Sequence, residues 1–277
     1  GVAAIVSQPC SGNPSPSLAV IDVMVGYSAA ARQAAGGTRP IELMIKAFID
    51  ETNQAMQNSF TGVRLQVAKR PAGNPTMIRP RPAGPPFRET RFTIPSNLCI
   101  SEVVYAETGD VHKDLDALID SQDGILDAAH TARDLCKADI SVLILEDVGY
   151  FGGKAWIPPI PDVRFAPWAF AVVRRDSAIA NTAFSHEVGH LFGGGHDVQN
   201  GGPAMCPYSA GWRLQAGVVR YRTVMAYKCA TYPCSGAVPI LFFSDPNILF
   251  GGVAVGSVNA QNARTIRIAA PTVSMYR

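Results

Sequence analysis

The chain has 277 residues, 47% of them hydrophobic and 17% charged, with a formal net charge of +2. This composition supports a large buried core and excludes a disordered chain. The near balance of charge argues against nucleic-acid or membrane-surface partners, which leave a strong basic footprint, and no apolar run approaches the roughly 18 residues that span a bilayer.

The first ten residues, GVAAIVSQPC, lack an initiator Met and the basic-then-apolar order of a signal peptide. They read as the start of a mature, secreted chain from which a targeting segment, and a zymogen's pro-segment, have been removed. The six cysteines, Cys10, Cys99, Cys136, Cys206, Cys229 and Cys234, form no close Cys-x-x-Cys pair. Disulfides in an exported protein fit them better than a cysteine-rich zinc site. Three precede residue 186 and three follow residue 196, so full pairing requires at least one bridge between the halves. Nothing in the sequence demands more than a monomer.

Along the chain, the β-branched run LAVIDVMVGY (18–27) predicts a buried strand. Pro40 suits a first helical turn. After it, Ile41, Met44, Ile45, Phe48, Thr52, Ala55 and Met56 share one face, opposite Glu42, Lys46, Asp50, Asn53 and Gln57. VRLQVAK (63–69) returns as a strand. Residues 70–95 hold seven prolines and five arginines against one acid; that density predicts no regular structure, only a solvated excursion or a basic rim. The acidic stretch 107–127 lacks EF-hand spacing and predicts helix caps and a solvated face, leaving a Ca2+ ion as an open expectation. A helix over 124–137, a buried strand over 139–146 and another over 168–175 (WAFAVVRR) follow. This order predicts an α/β fold with a twisted, mostly parallel sheet.

The stretch AFSHEVGHLFGGGHD (183–197) holds three of the five histidines. Ser177 or Asn181 could cap a helix burying Ile179, Ala183, Phe184, Val188 and Leu191. On it His186 and His190 are four apart and share a face, so both imidazoles can reach one cation. Glu187 projects beside them, placed as a general base. Gly193 supplies the positive φ that turns the chain back and brings His196 in from another direction. Three imidazoles with one open position describe a catalytic zinc, in contrast to a closed structural one. His112 and His130 lack this context and read as surface or satisfied helix histidines.

HEVGHLFGGGH matches the extended HExxHxxGxxH signature of metzincin zinc endopeptidases, and TVMAY (223–227) resembles their methionine turn. With IDVMVGYSAAAR, DETNQAMQNS, GWR…YRTVMAY and FFSDPN…GGVAVG, most of the chain resembles the secreted bacterial reprolysin-like enzymes of the peptidyl-Asp metalloendopeptidase type. The resemblance implies zinc ligands His186, His190 and His196, Glu187 as general base, and Met225 as the floor beneath the metal. Tyr227 is implied as a zinc ligand or oxyanion donor by one branch of the family, whereas Asp197 is the mark of another branch that lacks this tyrosine; a packed core tyrosine is the alternative. It also implies an upper subdomain, 1–196, with the sheet and two long helices, and a smaller irregular subdomain, 197–277, with the methionine turn and a terminal helix near 258–270. A polypeptide substrate would lie between them and add to an edge strand, for which WAFAVVRR is the candidate. Lys228, with Arg213, Arg220 and Arg222 just before the turn, would favour an acidic residue after the scissile bond, unless these are solvated surface cations.

Three other readings compete. A binding module on a dead protease fold would have lost Glu187 or a ligand, and all four are present. A metallopeptidase with a downstream glutamate ligand conflicts with His196 and Met225. An amidase acting on cell-wall or other non-protein amides is separable only by substrate data.

Overall fold

In the computed structural model, which describes residues 10–12, 14–72, 77–78, 92–93, 97–228 and 236–277, the first apolar run is strand β1 (Ala19–Ser28). Ser28 ends it and caps α1 (Ala29–Ala34), its hydroxyl accepting from the Ala31 N–H at 3.0 Å. The amphipathic run after Pro40 is α2 (Thr38–Asn58), which buries Ile41, Ile45, Phe48, Ile49, Thr52, Ala55 and Met56. Each large apolar side chain buried there contributes about 1.5–3 kcal/mol. The chain returns as β2 (Val63–Val67), parallel to the first half of β1.

The proline-rich insert is not wholly irregular, contrary to the expectation from its composition. It contributes β3 (Met77–Ile78) and β4 (Phe92–Thr93), antiparallel to each other, and β4 pairs with β5 (Ile100–Val103). These dipeptides contain no proline, so their N–H groups remain for a ladder. The rest of the segment lies outside the described residues. In the acidic stretch, Asp110 caps α3 (Val111–Ile119) by accepting from the His112 N–H at 3.0 Å. The predicted 124–137 helix narrows to α4 (Ala128–Cys136), where the His130 Nε2–H donates to the Leu118 carbonyl.

β6 (Ile140–Leu145) is buried along its whole length, as a parallel strand covered on both faces must be. β7 (Gly153–Ala155) and β8 (Phe170–Arg174) complete a sheet of order β3-β4-β5-β1-β6-β8-β7, with β2 also on β1. The contacts of β1 with β2, β5 and β6, and of β6 with β8, are parallel. β7 runs antiparallel to β8 and ends the sheet. The WAFAVVRR strand is therefore interior, held on both sides by β6 and β7, and cannot take up an extended peptide; the edge on this side of the sheet is β7.

The helix expected from Ser177 is interrupted. α5 (Ser177–Ala180) stops, Thr182 takes a left-handed φ of 58°, and α6 (Ala183–Leu191) starts afresh. The break turns Ile179 outward, to 44% exposure, against its predicted burial. Beyond α6 lie a small sheet of β9 (Arg213–Ala216), β10 (Val219–Arg222) and β11 (Val238–Pro239), the hairpin of β12 (Leu249–Phe250) and β13 (Val253–Ala254), and α7 (Asn262–Val273). One hydrophobic cluster runs from β1 and α2 through Phe184, Val188 and Met225 to Phe243 and α7. The opposite sheet face packs Met24, Leu143 and Phe170 against Leu115 and Leu118 of α3 and Ala132 of α4.

Two disulfides join described residues. Cys10–Cys206 ties the halves together, and Cys99–Cys136 fastens α4 to the start of β5. Cys229 and Cys234 lie outside the described residues. Among the described residues no helix is long and apolar enough to cross a membrane.

Candidate active site

Helix α6 carries His186 and His190 one turn apart, and all nine of its residues are buried. The three histidines meet: one ring nitrogen from each of His186, His190 and His196 lies within 4.8 Å of the others. Among the described residues they form the one group of three or more His, Cys, Asp or Glu side chains that converges in this way.

The second nitrogen of each ring fixes its tautomer. His186 Nδ1 lies 2.9 Å from the Val224 carbonyl, His190 Nδ1 2.8 Å from that of Gly194, and His196 Nδ1 3.1 Å from that of Asn200. A carbonyl only accepts, so each Nδ1 carries the proton and each Nε2 presents a lone pair. His186 Nε2 is buried without a protein partner, and the Nε2 atoms of His190 and His196 face each other at 2.8 Å. Lone pairs so close repel unless a cation lies among them. Burial also keeps the rings neutral: it holds His186 down at about 3, with His196 adding to the effect, and lowers both His190 and His196. Three neutral imidazoles without thiolate or carboxylate fit a zinc-like divalent ion.

The chain around the triad is shaped for close approach. Gly193 has a φ of 81°, and a Cβ there would stand 2.6 Å from Met205 Cβ. Gly189, inside α6, lets Met225 and Phe243 pack beneath the histidines; a Cβ would lie 2.5 Å from Met225 Sδ. Asp197, directly after the third histidine, accepts the Tyr227 N–H at 2.9 Å and pairs with Arg213 at 2.9 Å. Arg213 in turn donates to the Tyr227 carbonyl. Asn262 of α7 brackets Gly195 from both its N–H and its carbonyl. The third histidine is thus fixed from several directions at once.

Glu187 is 4% exposed, and its Oε2 has no partner. Burial pushes its carboxyl up to about 8, with the positive charge of Lys154 on β7 pulling the other way. Gly153 lies against it: a Cβ there would stand 2.7 Å from Glu187 Cγ. The Tyr227 phenol stands 3.0 Å from His196 Nε2 and its ring stacks on His186. Burial first, then Glu187 and Asp197, raise it to about 12, so it remains an O–H donor at neutral pH.

A cavity of about 350 Å³ opens beside these groups, lined among others by His186, Glu187, Tyr227, Arg174, Arg222 and Lys228. Arg220 is elsewhere: it lines a second cavity, of about 400 Å³, with Trp212 and Asp197. Sequence reading missed β7, Gly189, Arg174 and Asn262. Only Gly189 left a signal, since a glycine inside a helical pattern marks a close approach.

Residues 43–197, more than half of the chain and the whole histidine triad, match the family described as Metallo-peptidase family M12B Reprolysin-like. A peptidyl-Asp metalloendopeptidase of Stenotrophomonas maltophilia is 30% identical over 276 residues, covering 98% of this chain and 55% of the relative. One of Xanthomonas campestris pv. campestris is 30% identical over 272 residues, covering 98% and 54%. The chain thus spans about half the length of these curated relatives. A solved chain from a work titled "Structure of a chaperone-substrate complex" shares the fold, with a TM-score of 0.64 over 94% of this chain and 35% of that one at 17% identity. By the match across residues 43–197, the chain belongs to the reprolysin-like metallopeptidases of family M12B.

Proposed function

We propose that this chain is a zinc-dependent endopeptidase of exported type, acting on extended polypeptide. The observation that carries the reading is the convergence of three unprotonated Nε2 atoms beside a phenol and the buried Glu187 carboxyl, whose Oε2 has no partner. His186, His190 and His196 would hold the metal. When bound, a divalent cation supplies Lewis acidity to the attacking water and the scissile carbonyl. Glu187 takes a proton from that water and delivers it to the leaving nitrogen. Tyr227 donates its O–H to the developing oxyanion. Met225 packs as the floor of the triad, and Gly193 makes the turn that brings His196 in.

Substrate pairs with the free edge of β7. The N–H of Trp156 bonds the Phe170 carbonyl of β8, so by alternation the N–H groups of Gly153 and Ala155 face outward to an added strand. Substrate then lies between an upper part, residues 1–196, and a lower part, 197–277. The residue after the scissile bond enters the cavity beside Glu187, where positive side chains favour an acidic group; the names of the two bacterial relatives agree with that preference. Export is supported by the two disulfides.

The test is digestion of a mixed peptide pool by protein as purified, after chelation, and after zinc is restored. Cleavage lost on chelation and recovered with zinc is expected. Cleavage indifferent to chelation would overturn the reading.

A further inference from the structure

The three cations of the cavity differ in how far their charge is already satisfied. Arg174 is neutralised: its Nε bonds Asp176 at 2.6 Å and its Nη2 bonds Ser177 at 2.9 Å. Lys228 is exposed, so water screens it. Arg222 is only 4% exposed. Its Nη1 donates to the Ala226 carbonyl at 3.0 Å, its Nη2 reaches the Asn181 carbonyl only at 3.4 Å, and its Nε has no partner. No carboxylate among the described residues pairs with it; Asp197, which follows the third histidine, is engaged by Arg213 and the Tyr227 N–H.

A guanidinium this buried, met only by neutral carbonyls, carries a large unrecovered desolvation cost. An anion arriving with substrate recovers it. The Nε and Nη2 hydrogens lie on one edge of the guanidinium, the edge whose bonds are missing or long, and that edge matches the two oxygens of a carboxylate. Because the guanidinium is buried, the same charge counts for more there than at the exposed Lys228.

We infer that Arg222 is the receptor for the side-chain carboxylate of the substrate residue that follows the scissile bond. Lys228 and Arg174 shape the cavity without reading that charge. This rests on the proposed endopeptidase reading, with the cavity as the pocket for that residue. The Nη1 bond to Ala226 gives Arg222 a second duty: it spans the methionine turn, from the end of β10 to the residue after Met225, and so couples the receptor to the floor of the metal site.

The experiment compares kcat/KM for two peptides that differ only in Asp or Asn after the scissile bond. A charge-assisted bond of this kind predicts an Asp preference of about 10- to 100-fold in the wild-type protein. Arg222→Met should reduce the ratio to within about threefold, the loss of that charge-assisted bond, and Arg222→Lys should restore part of it. Lys228→Met and Arg174→Met should keep it. The ratio in wild-type protein is also followed across about 0.05 to 0.5 M salt, which needs no variant. A buried receptor holds it nearly constant, whereas selection by exposed Lys228 would fall with screening. An Asp preference that survives Arg222→Met, disappears in Lys228→Met, or collapses with salt overturns the assignment. If Arg222→Met does not retain its fold and zinc, the salt series and Lys228→Met decide. Equal cleavage of both peptides by wild type removes the receptor alone; cleavage of neither by zinc-loaded protein removes the endopeptidase reading beneath it.

Discussion

Two side chains at the centre of the site suit opposite tasks. Glu187 has no hydrogen-bond donor on Oε2, and burial raises its affinity for a proton; it takes one from water only in its ionised form, which a cation held by the adjacent histidines would favour. Tyr227 is raised beyond the working range and keeps its O–H to donate. Tyr227→Phe removes the proposed oxyanion donor and leaves the triad in place. Steady-state kinetics should show kcat lower by about 10²- to 10³-fold, with zinc content unchanged. Loss of zinc together with activity would mean that Tyr227 belongs to the ligand set. At Gly189 the prediction concerns packing. Ala would place a methyl against Met225 Sδ and Phe243, so Gly189→Ala should cost about 1–3 kcal/mol, read by denaturant unfolding.

At the scale of elements, the histidine helix was legible because its information is local. Four-residue spacing puts His186 and His190 on one face, and Gly193 makes its turn only three residues before His196. β1, α2, β6 and β8 were likewise visible, as each carries its own apolar pattern. β7 was not: Gly153–Ala155 has no pattern of its own and is a strand only because Lys154 pairs with Val172. The pause at Thr182 comes with no glycine or proline to announce it between Ser177 and Phe184. Arg220 and Arg222, two apart on β10, look alike in sequence; only the chain's path into the methionine turn sends them to different cavities.

The junction of β1 with β6 also has a pH dependence. Asp139 accepts the Asp22 N–H at 2.9 Å, leaves Oδ1 without a partner, and is raised by burial from an ordinary 3.8 to about 6. The folded state therefore holds this proton more tightly than the unfolded chain. Its contribution is complete below about pH 4 and is lost as pH rises through about 6. Relative to Asp139→Asn, wild-type stability should fall by up to about 3 kcal/mol between pH 4 and 7. A difference that rises with pH would contradict the burial argument.

For the molecule as a whole, the segments before and after His196 share one core, and the Cys10–Cys206 bridge closes a loop of 196 residues between them. Chain-entropy reasoning gives such a bridge up to about 5 kcal/mol. The Cys10→Ser, Cys206→Ser double variant should unfold at lower temperature, by about 2–4 °C for each kcal/mol lost. Cys206 adjoins Met205, which packs on the Gly193 turn, so zinc retention should weaken as well. Calorimetry and zinc titration check the two effects separately. The need for a bridge between the halves was legible from cysteine counting; its partners were not, because connectivity depends on where the fold brings the chain ends.

Whether three histidines hold zinc while Glu187 moves the proton is decided by one paired measurement. Zinc per chain and cleavage of a mixed peptide pool are determined side by side for wild type and Glu187→Gln. About one zinc is expected in both proteins, from the four-coordinate catalytic pattern, and activity lower by about 10² to 10⁴ in the variant, the worth of a general base. Full activity in Glu187→Gln, or a wild-type protein that cleaves without zinc, would contradict these roles.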